Sequence, residues 1–159
     1  MDFSVVMPVY VKSEELLAMT KEAVASLGNS ELIIVDNASE IGGGWLRSVA
    51  DIYIRNRENL GYPSAVNQGI KLSRGEYIAI ANNDIRVSGS WKGVARDILS
   101  DEGVGSVHFR MIGYDDPVRE GQLTWKTGKE RWCTSSFFVI KQQALPEGLY
   151  NEDYGLGGY

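Results

Sequence analysis

Cysteine and histidine are almost absent from this chain, which has one of each, Cys133 and His108, among 159 residues. The single cysteine excludes an internal disulfide and a cysteine-clustered zinc site, and the single histidine excludes a metal centre built from several imidazoles. No apolar run approaches the roughly 20 residues of a membrane-spanning helix, and the first residues lack the pattern of a secretory signal. We therefore expect a soluble, cytoplasmic protein without a transmembrane segment, for which contact with a membrane would be peripheral.

Positive charge is also scarce, since 16 Lys and Arg face 21 Asp and Glu, for a net charge of -5. Such a surface repels nucleic acid on average, which argues against a nucleic-acid-binding protein. Hydrophobic residues make up 43% of the chain, enough for one core, and we expect residues 1–159 to form a single domain. The glycine-rich ending at 155–158 is abrupt, which indicates either a compact domain or a chain cut short.

Short apolar runs alternate with segments of helical periodicity along the chain. Strands are predicted at residues 5–9, 32–35, 52–54, 77–81, 105–109 and 136–140, and helices at 13–27, 62–72 and 90–99. The run 77–81 is apolar throughout, as in a strand covered on both faces. This alternation predicts an α/β fold with right-handed crossovers and a mostly parallel central sheet, flanked by helices on both faces.

Polar residues and glycines follow the predicted strands at the points where these end. They are Pro8 and Tyr10 after the first strand, Asp36 and Asn37 after the second, Asn56, Arg57, Asn59 and Gly61 after the third, and Asn82, Asn83 and Asp84 after the fourth. Each alone is compatible with an ordinary turn or helix cap. Because ligands of open parallel sheets bind beyond the carboxyl ends of the strands, their joint occurrence favours a binding site at that edge.

Four segments together resemble the successive blocks of family 2 glycosyltransferases with the GT-A fold. The segments are VMPVY at 6–10, IIVDNAS at 33–39, NLG at 59–61 with NQG at 67–69, and ANND at 81–84. A weaker later block resembles residues 133–141. The resemblance implies a GT-A-type, Rossmann-like nucleotide-sugar transferase topology, in which the mostly parallel sheet is mixed. It also implies an inverting, metal-dependent transfer of a hexosyl group from a nucleotide-diphosphate donor to a carbohydrate, lipid-linked or protein acceptor.

The resemblance further assigns residues to the nucleotide-sugar. Those residues are Pro8, Tyr10, Asp36, Asn59, Gly61, Asn67, Asn82 and Asn83. Among them, Asp36 is implied to accept a hydrogen bond from the base, for which an ionised carboxylate is a strong acceptor.

The metal and the catalytic base are also implied by the resemblance. Asp84 matches the last acid of the family's Asp-x-Asp motif, with Asn82 in the place of the first, and would hold Mn²⁺ or Mg²⁺ against the donor's phosphates. An inverting transfer needs a base as well. Either Glu152 and Asp153 are the matching pair, with Asp153 as the favoured base, or the pair lies past residue 159; both acids also fit solvated charges near a chain end.

Other interpretations stay open at this point. A non-catalytic nucleotide-sugar binding domain would keep the pocket and lack the base. A nucleotidyltransferase needs a Gly-rich, Arg-containing loop after the first strand, where this chain has Pro-Val-Tyr-Val-Lys at 8–12. His108 is either an extra metal ligand or a structural histidine, and Trp125 and Trp132 are either a sugar-stacking platform or core anchors.

Overall fold

Six strands and four α-helices follow one another in the part of the chain that the computed structural model describes, residues 2–109, 136–145 and 149–151. The elements are β1 Phe3–Val9, α1 Glu14–Leu27, β2 Glu31–Asp36, α2 Gly43–Val49, β3 Ile52–Arg55, α3 Tyr62–Leu72, β4 Tyr77–Ala81, α4 Trp91–Leu99, β5 Ser106–His108 and β6 Phe137–Lys141. A short 3-10 helix, Gln142–Ala144, follows β6. Among the helices of these ranges, none has the length and apolar character to cross a membrane.

The strands form one sheet in the order β3-β2-β1-β4-β6-β5. Within the group β1 to β4, every pair of neighbouring strands is parallel. Strand β6 is antiparallel to both of its neighbours, β4 and β5. The predicted mostly parallel, mixed sheet is therefore confirmed. From β1 the chain proceeds outward through β2 and β3, then returns to place β4 on the other side of β1. The strand order thus reverses between β1 and β4, where open sheets bind ligands.

Helices cover both faces of the sheet, as predicted. Successive residues of a strand point to opposite faces, and β1 illustrates the result. Val5 and Met7 belong to the core cluster that includes α1, α2 and α4, whereas Val6 belongs to the cluster that includes α3. All three side chains are fully buried. Because both faces are covered, the carboxyl edge of the strands is the part of the sheet where polar groups can collect.

Pairing between β1 and β4 ends early, and this opens the sheet at its carboxyl edge. The β1–β2 ladder continues to the pair Val9 and Asp36, but the β1–β4 ladder stops at Val6 and Ile80. Pro8 lies two residues beyond that last pair, and proline has no backbone N–H to donate to a ladder. The two strands therefore separate at the point where their polar extensions begin.

Close packing of α3 on β1 requires glycine at position 69. A Cβ added to Gly69 would lie 2.3 Å from Val6 Cγ1, whereas a Cβ on Gly93 of α4 would meet no described atom within 4 Å. We expect Gly69→Ala to lower the free energy of unfolding by about 1–3 kcal/mol through overpacking. The matched Gly93→Ala should raise it by up to about 1 kcal/mol, because alanine favours helix. Urea unfolding measures both, and equal effects would contradict the packing argument.

Candidate functional site

A cleft of about 280 Å³ opens at the carboxyl edge of the sheet, between the ends of β1 and β4 and the loop that precedes α3. The residues that line it are Pro8, Val9, Tyr10, Asn37, Asn59, Gly61, Tyr62, Asn82, Asn83 and Asp84. The structure therefore brings together the residues that the resemblance assigns to the site within the first 84 positions, apart from Asp36 and Asn67. The cleft lies where the strand order reverses, in agreement with the rule for open parallel sheets.

A larger cavity, of about 580 Å³, lies at the opposite edge of the sheet, where β4 begins and β6 ends. Glu76, Tyr77 and Lys141 are among its lining residues. Lys141 is buried there, and its ammonium donates a hydrogen bond to the carbonyl of Asp101 at 2.7 Å. Volume alone would favour this cavity. The smaller cleft is the better candidate because it combines the strand ends with several converging polar groups.

Asp36 ends β2 with a fully buried side chain. Its Oδ1 accepts the backbone N–H of Ser39 at 2.7 Å, and its Oδ2 accepts the Tyr53 hydroxyl at 2.5 Å and the Arg55 guanidinium. Burial alone would raise the pKa of this carboxyl, but the hydrogen bonds and the positive charge of Arg55 outweigh burial and hold the pKa below its usual value. Asp36 is therefore an ionised, well-satisfied carboxylate.

The side chains of Asp36 and Asn37 take different directions at the end of β2. Asp36 lies near α2, since its Oδ2 is 4.0 Å from where a Cβ on Gly43 would stand. Asn37 instead lines the cleft; its amide donates to the carbonyl of Gly61 at 3.1 Å, and its Oδ1 accepts from Asn56 at 2.8 Å. The sequence places Asn37 directly after Asp36 at the end of the strand, but gives it no separate role.

The loop that leads into α3 forms one wall of the cleft. Gly61 has a φ of 85°, a backbone conformation that favours glycine, and its N–H donates to Asn59 Oδ1 at 2.9 Å. Both the turn interpretation and the site interpretation of these two residues are thus compatible with the structure. Tyr62, the first residue of α3, also lines the cleft. Backbone N–H groups at the start of a helix favour a bound anion, so this wall suits phosphate.

The residues after β4 form the facing wall. The backbone N–H of Asn82 donates to the carbonyl of Ser136 at 2.9 Å, and Asn83 donates through its side chain to Thr20 at 2.9 Å. The Oδ1 atom of Asn82 is buried and has no hydrogen-bond partner within the described ranges. A buried acceptor without a partner is costly, so this atom would gain from a bound cation or donor group. Asp84 lines the same cleft and is exposed.

Asn82 and Asp84 fit a hard divalent cation through the chemistry of their atoms. Mg²⁺ and Mn²⁺ prefer oxygen ligands, and the two residues that carry these side-chain oxygens line the same cleft. In the part of the chain that the structure describes, no group of three or more His, Cys, Asp or Glu could enclose a metal. An ion held here would therefore take its remaining ligands from phosphate oxygens and water.

Asn67 does not lie on the cleft, where a contact with the nucleotide was predicted for it. It is buried on α3, where its Oδ1 accepts the backbone N–H groups of Leu149 at 3.0 Å and Tyr150 at 3.1 Å. Its side-chain amide donates to the carbonyl of Tyr150 at 2.8 Å. The structure thus places Asn67 against the chain segment at 149–150 and not on the cleft lining, because its position on α3 faces that segment.

The other predicted positions are either elsewhere or outside the described residues. His108 is exposed on β5, the edge strand, and its ring stacks on Phe138 at 4.9 Å between centroids. It does not line the cleft, so the structure favours its structural interpretation. Five residues named from the sequence lie outside the described ranges, namely Trp125, Trp132, Cys133, Glu152 and Asp153.

Three comparisons with known proteins bear on this arrangement. The model of the family described as "Glycosyl transferase family 2" matches residues 4–155. Glycosyltransferase GlyG of Streptococcus pneumoniae serotype 4 is 25% identical over 174 residues, which cover 94% of this chain and 58% of that protein. This chain thus spans little more than half the length of that relative.

Solved structures with the same fold include TarS 1-349 of S. aureus, with a TM-score of 0.66 and 17% identity over 89% of this chain and 47% of that one. TarS 1-349 in complex with UDP-GlcNAc has a TM-score of 0.60 at 18% identity, over 79% of this chain and 37% of that one. The mannosyltransferase PcManGT of Pyrobaculum calidifontis, in complex with GDP-Man and Mn²⁺, has a TM-score of 0.62 at 18% identity, over 89% of this chain and 44% of that one. These likenesses confirm the predicted GT-A-type α/β fold.

Proposed function

The chain belongs to glycosyl transferase family 2, and on this premise we propose that it moves a hexosyl group from a nucleotide-diphosphate donor to an acceptor hydroxyl, with inversion and with the help of a divalent cation. The acceptor is a carbohydrate, a lipid-linked sugar or a protein. The observation that carries the proposal is the cleft between β1 and β4, where a helix start faces Asn82 and Asp84. An anion-favouring wall opposite a pair of oxygen ligands suits a diphosphate bridged by a metal ion.

The donor would lie across the cleft with its diphosphate between these two walls. Asn59 and Gly61 are the proposed neighbours of the ribose and diphosphate, and Pro8 and Tyr10 of the nucleotide. We keep Asp36 as the proposed partner of the base. The nucleotide would then either share this carboxylate with Arg55 or displace Arg55 from it. A displaced Arg55 could be hydrated, because its side chain is 43% exposed. UDP-GlcNAc and GDP-mannose are sensible first donors because structures of similar fold hold them.

Asp84 and Asn82 would hold Mn²⁺ or Mg²⁺ against the phosphates. When bound, the ion neutralises the negative charge that develops on the leaving diphosphate. In the proposed reaction the bond between the sugar's anomeric carbon and the diphosphate oxygen breaks, while a bond forms from the acceptor oxygen on the opposite side of that carbon. The acceptor's proton passes to a carboxylate, for which Asp153, beside Glu152, is our candidate.

A thermal-shift screen tests this function on the wild-type chain. We expect UDP-GlcNAc or GDP-mannose, at about 100 times the dissociation constant and with Mn²⁺ present, to raise the Tm by about 5–10 °C. UDP, GDP and the same sugars without nucleotide serve as comparisons, each with and without Mn²⁺. No shift with any nucleotide would contradict the proposal.

Measurement of nucleotide release separates the alternatives. A transferase releases UDP or GDP from the stabilising donor, whereas a non-catalytic binding domain is stabilised without release. A nucleotidyltransferase would instead release pyrophosphate from a nucleoside triphosphate and a sugar 1-phosphate.

A further inference from the structure

The loop that carries Asp84 is held against α1 by two hydroxyl groups. Asn83 donates a hydrogen bond through its side-chain amide to Thr20 Oγ1 at 2.9 Å. The backbone N–H of Val87 donates to Ser26 Oγ at 3.1 Å. The partners are 63 and 61 residues apart in sequence, and the two contacts lie on either side of Asp84 along the chain. They are therefore tertiary contacts that the local structure of the loop does not require.

Thr20 places one hydroxyl in the buried face of α1. The residue is fully buried, and the other buried residues of this face are apolar, namely Leu17, Ala23 and Leu27. Valine is branched in the same way as threonine and would fill the same space without a polar atom to satisfy. Packing of the helix therefore does not account for a hydroxyl at this position, whereas the contact with Asn83 does.

The hydrogen bonds of this hydroxyl fix the orientation of the Asn83 side chain. Thr20 Oγ1 donates its hydrogen to the carbonyl of Leu16 at 2.7 Å. Because this hydrogen is used, the oxygen can only accept a bond from Asn83. The Asn83 carboxamide must therefore turn its nitrogen, and not its oxygen, toward α1. Asn83 also lines the cleft, so a residue of the cleft lining is held from behind by a buried side chain of the helix.

The two chain neighbours of Asn83 are the candidate cation ligands. Asn82 and Asp84 both line the cleft, and Asn82 Oδ1 is a buried acceptor without a partner within the described ranges. A metal ion needs its ligands at fixed positions, and groups behind the ligands keep them there. Since Asn83 is bonded covalently to both neighbours, a displacement of Asn83 would displace both ligands.

We propose that Thr20 is a positioning residue for the divalent cation: its hydroxyl fixes Asn83 and thereby holds Asn82 and Asp84 where they can bind Mn²⁺ or Mg²⁺. The inference rests on the proposed function, in which these two residues hold the ion against the donor's phosphates. It gives Asn83 a role as the link between the cation site and α1, in addition to its place in the cleft lining.

Titration calorimetry of Thr20→Val and Thr20→Ser tests the proposal. The titrants are UDP and GDP, each with and without Mn²⁺, and the measured quantity is the gain in nucleotide affinity that Mn²⁺ brings. We expect Thr20→Val to lower this gain by about tenfold, the scale for loss of a side chain that supports metal ligands. The affinity without Mn²⁺ should stay at the wild-type value. Thr20→Ser retains the hydroxyl and should retain most of the gain.

Ala23→Gly is the matched control, because Ala23 belongs to the same buried face of α1 and glycine destabilises a helix. It should lower the Tm and leave the gain from Mn²⁺ unchanged. Asn83→Ala removes the same hydrogen bond from its other end. Combined with Thr20→Val, it should therefore lose no more of the gain than Asn83→Ala alone. If Thr20→Val does not fold, Asn83→Ala carries the comparison with Ala23→Gly.

The outcomes separate this inference from the proposed function. A wild-type chain whose nucleotide affinity gains nothing from Mn²⁺ overturns the proposed metal dependence and the positioning role together. A wild-type gain that persists in Thr20→Val overturns the positioning role alone. An equal loss in Ala23→Gly, or an equal loss of affinity without Mn²⁺, would show a purely structural role and would also overturn it. A loss in Thr20→Ser as large as in Thr20→Val would do the same, because the hydroxyl is present in the serine variant.

Discussion

Asp84→Ala is expected to lower metal-dependent turnover of the donor by about a thousandfold or more while the fold stays intact. In the proposed reaction a metal ion that neutralises the leaving diphosphate would contribute several kcal/mol, and each loss of about 1.4 kcal/mol lowers the rate tenfold. The Asp84 side chain is exposed at the cleft, so its removal leaves no cavity and the Tm should not change. Nucleotide release with increasing Mn²⁺ measures the effect.

Asp97→Ala is the matched control, since Asp97 is an exposed carboxylate on α4 that does not line the cleft. It changes the net charge by the same amount and should keep wild-type turnover. Titration calorimetry adds a second test, because the Mn²⁺-dependent part of nucleotide affinity should disappear in Asp84→Ala only. If that part is unchanged, Asp84 does not hold the metal.

Asp36→Ala is expected to have two separable effects, on stability and on nucleotide affinity. Removal of the buried carboxylate leaves the Ser39 N–H and the Tyr53 hydroxyl without their acceptor. This should lower the free energy of unfolding by about 3 kcal/mol, and not more, because Arg55 is 43% exposed and can hydrate. Nucleotide binding should weaken by about 1.5–3 kcal/mol through the lost charge-assisted hydrogen bond.

Tyr53→Phe separates these two effects. It removes one hydrogen bond to Asp36 and keeps the carboxylate and its charge. We expect it to cost about 1 kcal/mol of stability and to leave the dissociation constant of the nucleotide near the wild-type value. Urea unfolding and titration calorimetry give the two quantities. An unaltered nucleotide affinity in folded Asp36→Ala would show that Asp36 supports the site without contacting the base.

Much of the fold could be predicted because its signals are local. Apolar runs gave the first four strands to within a residue or two, and α3 begins and ends at the predicted residues. The helix predicted at 13–27 matches α1, where Ser13 caps the first turn by accepting the N–H of Leu16 at 3.2 Å, and Gly28 follows the last turn with a φ of 67°. The antiparallel direction of β6 was less accessible, because an apolar run has the same pattern in either direction and residues 110–135 separate it from β5.

The site could likewise be predicted where its signals are local, and not where it depends on contacts between distant parts of the chain. The rule for strand ends selected Pro8, Asn59 and Asp84 correctly for the cleft lining. It did not reveal that the Asp36 carboxylate is held by Tyr53 and Arg55, because that contact depends on the register of β2 with β3. Asn67 shows the limit most clearly: its partners lie 82 and 83 residues further along the chain, and no local pattern marks them.

The opposed directions of Asp36 and Asn37 constrain how this protein can change over evolution. Substitutions in β2 exchange one side chain, but insertion or deletion of one residue within Glu31–Asp36 would exchange the two faces of everything that follows in the strand. A deletion would put Asn37 in the place of Asp36, and an insertion would put Val35 there, so in either case Tyr53 and Arg55 would lose their carboxylate partner. We expect natural relatives to vary in the composition of this strand and to preserve its length.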